Sequence, residues 1–251
     1  MNISGNTILI TGGGSGIGRG LAEALQAKGN QVIIAGRRKA ALEETVEANP
    51  GMKFLTLDIE DPAAIKAFAE KVAAEYPALN VLMNNAGIMR PENVLEQQNL
   101  ADAEAIVTTN LLGPIRLTAA LLPLLRKQAH STIVNVSSGL AFVPLAMTPT
   151  YCATKAALHS YTCSLRYQLK DTTTEVLEII PPYVQTDLLG GAEDPRAMPL
   201  KDFIEQTMEI FNTQPTPLEN CVKNAEGLRS AESKGIFDVV FKGLNDSFGN
   251  H

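Results

Sequence analysis

An apolar run suited to a β-strand, Thr7-Ile8-Leu9-Ile10, leads into the glycine-rich stretch TGGGSGIG at 11–18. A helical run follows, Arg19 to Lys28, with Leu21, Ala24 and Leu25 on one face. Strand, glycine turn and helix in that order constrain the fold more than any other feature. They open a βαβ unit and leave a helix N-terminus free to meet a phosphate. Gly12 permits a sharp turn off the strand, Gly16 lets backbone approach a diphosphate, and Gly18 lets the helix pack close to the sheet. The spacing is GxxxGxG, not GxGxxG, and no Gly-Lys-Ser/Thr follows, so a plain glycine-rich turn is the competing reading.

Apolar runs at 7–10, 31–35, 53–57, 81–84, 132–136 and 175–180 alternate with helical stretches at 17–28, 39–48, 62–75, about 101–127 and about 151–169. Several runs are nearly continuous, as in strands buried on both faces. The pattern predicts an α/β fold: one doubly wound, Rossmann-type parallel sheet of about six or seven strands with helices on both faces. Residues 1–251 read as a single dinucleotide-binding domain. Gly190-Gly191 and the prolines at 195, 199, 215 and 217 mark an irregular insertion, and 187–218 reads as a substrate lid with a short helix at Lys201 to Phe211. Residues 219–251 form an atypical C-terminal segment.

The net charge of −6, few aromatics and no Trp argue against a nucleic-acid partner. No apolar run approaches a membrane span of about 18 residues, so no membrane partner is expected. The first residues, MNISGNT, lack the features of a secretory signal. Cys152, Cys163 and Cys221 suit neither a disulfide framework nor a zinc site, and the expected location is the cytoplasm. His130, His159 and His251 are scattered, and no metal is expected.

Where a ribose-binding carboxylate would follow the second strand stand Gly36, Arg37 and Arg38. Two guanidiniums would bind a 2′-phosphate that a carboxylate would repel, which favours NADP(H) over NAD(H). The alternative is a solvated helix start, although cations suit a helix N-terminus poorly. Asp58 either reaches an adenine amino group or caps a helix, but Asp61-Pro62 is the better cap. At Asn84-Asn85-Ala86-Gly87 small residues let a cofactor lie across the strand ends, with Asn84 expected to stitch strands together. Asn110, amid apolar residues in the helix from Ala101 to Lys127, reads on its own as a satisfied buried polar group.

Ser137-Ser138-Gly139 follows the fifth strand, and Tyr151 and Lys155 come next, one helical turn apart. An ammonium about 4 Å from a phenol is worth ~4 kcal/mol at an effective dielectric of ~20, or ~3 pKa units less desolvation. That would bring the phenol towards neutrality and let it exchange a proton with a carbinol oxygen, with Ser138 bonding the same oxygen. The plain alternative is a core aromatic beside a surface lysine.

Taken together, TGGGSGIG, NNAG at 84–87, Asn110, Ser138 and YCATK at 151–155 resemble the short-chain dehydrogenase/reductase family in its compact branch, over about residues 5–187. The resemblance implies Tyr151 as general acid/base. It implies Lys155 to lower the pKa of Tyr151 and bind the nicotinamide ribose, and Ser138 to position the carbonyl oxygen. It implies Asn110 to hold a water that links Lys155 to solvent. The implied cofactor contacts are Gly12, Ser15, Gly16, Ile17, Gly18, Arg37, Arg38, Asp58, Ile59, Asn85, Ala86, Gly87, Tyr151, Lys155, Pro181, Val184 and Thr186, with Val184 and Thr186 touching the carboxamide. Gly36-Arg37 resembles the family's NADP-preferring pattern.

Two features depart from the family. Pro181-Pro182-Tyr183 replaces the usual Pro-Gly, and the tail shows no recognisable closing strand of the kind that builds tetramers. With AGRR and IIPP, this ending is most similar to a bacterial subgroup of DltE-like oxidoreductases. The implied function is an NADP(H)-dependent oxidoreductase interconverting a carbonyl and a secondary or primary alcohol on a small molecule. The implied assembly is a homo-oligomer: a dimer through the helices of Asn110 and Tyr151, with a tetramer possible. An NADPH-binding sensor without turnover is the alternative. A sugar-nucleotide epimerase would bring GxxGxxG and a longer substrate domain. The wall formed by Leu140, Phe142, Val143, Leu145, Met147, Tyr183, Leu188, Leu189 and 192–212 is apolar, which suits a hydrophobic carbonyl or plain core packing.

Overall fold

Among the described residues, seven parallel strands form one sheet in the order β3-β2-β1-β4-β5-β6-β7. They are β1 (Thr7–Thr11), β2 (Gln31–Gly36), β3 (Lys53–Thr56), β4 (Val81–Asn84), β5 (Ser131–Val136), β6 (Thr174–Ile180) and β7 (Glu219–Cys221). The structure, a computed structural model, describes residues 1–96, 100–190 and 193–249. The first six strands lie where the apolar runs predict them. The seventh, Glu-Asn-Cys, carries no strand signature. Its register on β6, Glu178↔Glu219 to Ile180↔Cys221, places it.

Both faces of the sheet are buried. Ile8, Ile10, Val32 and Ile34 point to one side, onto α1 (Gly16–Ala27) and α7 (Leu200–Phe211). Leu9, Ile33, Leu82 and Ile133 point to the other, onto α3 (Pro62–Glu75) and α5 (Gly113–Leu125). Neighbouring residues on one strand thus enter opposite cores, which is why the strands read as continuous apolar runs. Asp61 caps α3 by accepting from the Ala63 N–H at 2.8 Å, with Pro62 in the first turn. The remaining helices are α2 (Lys39–Ala48), α4 (Leu100–Val107), α6 (Pro149–Leu169), α8 (Lys223–Arg229) and α9 (Phe237–Phe248).

Two expectations change. The long helix at 101–127 is interrupted: α4 passes through a π-helical segment, Thr108–Leu112, into α5. The whole stretch Leu100–Leu125 is long and apolar enough, by length and composition, to cross a bilayer, contrary to the sequence reading. Here it buries Leu117, Leu121 and Leu125 in the core as a helix of the α/β sandwich. Of the stretch 187–218, the turn Asp187–Leu189 lines the cleft, while α7 buries Phe203 and Phe211 beside α1. Gly191 falls outside the described residues.

The chain winds outward from β1 through β2 to β3, then returns past β1 to β4 and winds outward the other way. The carboxyl ends of β1 and β4 therefore flank a crevice of the kind where α/β sheets bind ligands.

Candidate active site

A cleft of 530 Å³ runs along the carboxyl ends of the strands, from the glycine loop to α9. At its first end Gly12 turns back, with its N–H donating to Ala35 O at 2.7 Å and φ at +69°. A Cβ on Gly18 would lie 2.3 Å from Gly12 O and 2.4 Å from Asn85 Nδ2, so α1 can start here only with glycine. Ser15 precedes α1 in extended backbone without capping it by its own side chain, and the first N–H groups of α1 open on the cleft. These features fit a diphosphate. Thr11, which sequence reasoning passed over, fastens the switch point: its Oγ1 accepts from the N–H of both Asn85 and Ala86 at 3.0 Å. Asn85 Nδ2 returns a bond to Thr11 O at 2.9 Å.

Arg37, Arg38, Leu57 and Ile59 line the same end. Arg38 reaches Ser15 Oγ at 2.8 Å. Arg37 pairs with Glu60 at 2.6 Å, and Thr109 Oγ1 donates to the same Glu60 oxygen at 2.8 Å. No pattern in the sequence singles out Glu60. Asp58 is exposed, accepts from the Glu60 N–H at 3.0 Å, and is not among the cleft-lining residues. Asn84 ties strands and helix together through Asn135 at 2.8 Å and Thr118 at 3.0 Å, the structural role expected of it.

Mid-cleft, Ser138 caps a short 3₁₀ turn, accepting from Leu140 N–H at 3.1 Å, and its hydroxyl stands beside the Tyr151 phenol. Tyr151 is 5% exposed and Lys155 is 4% exposed. Lys155 Nζ donates to Val136 O at 2.8 Å and lies 5.5 Å from the centre of the Tyr151 ring. Burial pushes the phenol well above its ordinary pKa, and the neighbouring Ser138 hydroxyl offsets this only in part. Burial pulls Lys155 down to about 8, opposed by the charge of Glu178. Desolvation thus raises the phenol, where the sequence leads one to expect the Lys155 ammonium to lower it.

Asn110 lies in the π-helical segment and is 1% exposed. Its amide is engaged with both backbone groups of Ile88, at 2.8 and 2.9 Å, and with Thr154 at 3.3 Å. A Cβ on Gly87 would sit 3.3 Å from Asn110 Oδ1 and 3.7 Å from Lys155 Nζ, so this glycine is the spacer between the two. Pro181, Val184 and Thr186 line the cleft, and Thr186 lies over Gly16. Pro181 O accepts from the Gly139 N–H at 2.8 Å.

At the far end Leu140, Leu145, Tyr183, Leu188 and Leu189 form the expected wall. Phe142 instead turns towards His159 and Arg229, Val143 is in the core, and Met147 packs behind Tyr151. Leu228, Leu244 and Phe248 complete the wall from the tail. Their signal was the helical spacing of Phe237, Phe241, Leu244 and Phe248. His159, Glu178 and Glu219 bring potential metal-ligand atoms within 4.8 Å of one another. His159 is already bound to Glu178 at 2.9 Å, and Arg229 holds both oxygens of Glu219 at 2.6 and 2.9 Å, so the cluster is balanced by cations of its own.

The sequence profile of the short chain dehydrogenases matches residues 6–197. The chain belongs to this short-chain dehydrogenase family. It is therefore a member of an oxidoreductase family that binds NAD or NADP. The match ends before β7, α8 and α9. Among curated relatives, the uncharacterised oxidoreductase DltE of Bacillus subtilis is 39% identical over 252 residues, 98% of each chain. An NADP-dependent 3-hydroxy acid dehydrogenase of Schizosaccharomyces pombe is 33% identical over 191 residues, 74% of each. A solved short-chain dehydrogenase from Streptomyces avermitilis superposes with a TM-score of 0.81 at 28% identity, covering 98% of each chain.

Proposed function

We propose that this protein is an NADP(H)-dependent oxidoreductase that interconverts a carbonyl compound and its secondary or primary alcohol, with Tyr151 as general acid/base. The observation that carries the reading is the convergence of Ser138, Tyr151 and Lys155 at the point where the glycine-lined half of the cleft meets its apolar half. The raised pKa keeps the phenol protonated, as an acid for carbonyl reduction requires. Ser138 orients the carbonyl oxygen towards it. Lys155, held by Val136 O, contributes positive charge and a donor for the nicotinamide ribose. The α1 N-terminus receives the diphosphate, and Arg37 and Arg38 receive a 2′-phosphate. The nicotinamide, when bound, supplies or accepts the hydride. The relative with NADP in its name supports the cofactor choice. The same reading places the enzyme in the cytoplasm as a homo-oligomer, a dimer through the outer faces of α5 and α6.

The test is oxidation of NADPH and of NADH, in parallel, against aldehydes, ketones, diketones, quinones and keto-esters. We expect turnover with NADPH preferred, reduced about 10²–10⁴-fold by Tyr151→Phe with NADPH affinity retained. A preference for NADH overturns the cofactor assignment. Full activity in Tyr151→Phe overturns the mechanism. Tight NADPH binding without turnover on any carbonyl favours a sensor.

A further inference from the structure

We propose that α9, through Leu244 and Phe248, is the substrate-selecting wall of the site, and that it selects an uncharged apolar carbonyl compound over one bearing a carboxylate. The inference rests on the oxidoreductase reading above and adds a substrate class to it.

Three observations converge. The first is position. Leu244 and Phe248 line the same cleft as Ser138 and Tyr151, and they pack on the cluster formed by Leu145, Tyr151 and Cys152. None of the residues of α9 is fully buried, and Val239 on its outer side is 74% exposed. The apolar contacts of this helix with the rest of the fold thus include the wall of the cleft, while its outer side faces solvent.

The second is anchoring. Asn245 accepts from the Ala146 N–H at 2.6 Å and donates to Pro144 O at 3.2 Å, clasping the loop that follows Ser138. Arg196 donates to Ser247 O at 2.5 Å and lies 4.2 Å over the Phe248 ring. Phe248 meets Tyr183 edge-on, with ring centres 5.5 Å apart. A ring so held presents a fixed surface rather than a loose tail.

The third is charge. Among the described cleft-lining residues the cations are Arg37, Arg38, Arg90 and Lys155. Arg37 and Arg38 stand at the glycine-loop end, Lys155 is held by Val136 O, and Arg90 is paired with Asp102. Close to the wall, Arg196 is occupied by Asp194, and the exposed carboxylate of Asp187 lines the cleft. A substrate carboxylate seated against Leu244 and Phe248 would lose water without gaining a free cation.

The probes are acetophenone and phenylglyoxylate, in which a carboxylate replaces the methyl group. Binding is measured by saturation-transfer NMR in the presence of NADP⁺ for the unaltered protein, Phe248→Ala and Phe248→Leu. We expect acetophenone to bind about tenfold or more tightly than phenylglyoxylate. We expect Phe248→Ala to weaken acetophenone about fivefold or more, with Phe248→Leu keeping most of the affinity and NADP⁺ affinity unchanged in both. Equal or tighter binding of phenylglyoxylate, no acetophenone binding to the unaltered protein, or acetophenone binding unchanged in Phe248→Ala overturns the proposal. Turnover retained by Tyr151→Phe would instead overturn the catalytic reading and leave these binding results standing.

Discussion

Lys155 carries a charge where the fold least welcomes one. Its pKa, drawn down by burial to about 8, lies below the 10.5 of a solvated lysine. Between those values the unfolded chain binds the extra proton, so stability rises with pH through that window. Below about pH 8 the penalty is complete, on the order of 3 kcal/mol. Lys155→Met should therefore unfold at higher denaturant concentration than the unaltered protein at pH 7, by about 2 kcal/mol. The advantage should fade as pH climbs towards 10.5, and turnover should be lost throughout. Urea unfolding at pH 7 and pH 10 checks this. At this scale the sequence was readable where a residue type has one plausible job. Ser138, Tyr151 and Lys155 meet because a strand end and one helical turn bring them together. Asp58 carries two readings because an Asx turn and an adenine contact ask for the same side chain at the same place. Glu60 was missed because its interest comes from Arg37 and Thr109, neither adjacent in sequence.

Among the elements, α6 does the most joining. Tyr151, Lys155 and His159 follow one another at every fourth residue, and His159 ends the row on the fully buried Glu178 of β6. The His159 pKa is raised, chiefly by its hydrogen bond to Glu178. The charged pair thus contributes in full below about pH 6.5 and loses that contribution as pH passes through the raised value. His159→Gln should cost about 2 kcal/mol at pH 6 and less at pH 9, as read by thermal or urea unfolding at each pH. The groups facing the imidazole in this balance are Glu178, Glu219 and Arg229. Strand and helix positions were legible because apolar periodicity is local. β7 was not, because its pairing with β6 defines it, and the π-helical segment was not, because it shifts the hydrogen-bond register while keeping a helical pattern.

For the whole molecule, the sheet order and the two cores follow from runs of residues that can be buried on both faces. Assembly rests on the surface. The outer side of α6 exposes Tyr167 at 70% among small residues such as Ala153, Ser160 and Ser164. On the proposed dimer this face is covered, so Tyr167→Glu should shift sedimentation from dimer towards monomer while leaving the fold intact. An unchanged sedimentation coefficient would point to another interface. What the sequence could not convey at this scale is the return of the tail. Residues more than ninety positions apart, Ala146 and Asn245, join through a hydrogen bond from backbone N–H to side-chain amide oxygen, and composition alone records no such reunion.

That return separates the two halves of the cleft along the chain. The glycine loop, the arginines and the Ser138–Tyr151–Lys155 set all precede residue 187, whereas Leu228, Leu244 and Phe248 lie beyond residue 197, where the family profile ends. Inheritance can therefore treat them separately. On the roles proposed above, a single genetic crossover after β6 would pass on the chemistry unaltered and bring a new taste in substrates, and drift within the last helix could retune selectivity without ever touching the residues proposed to handle the proton.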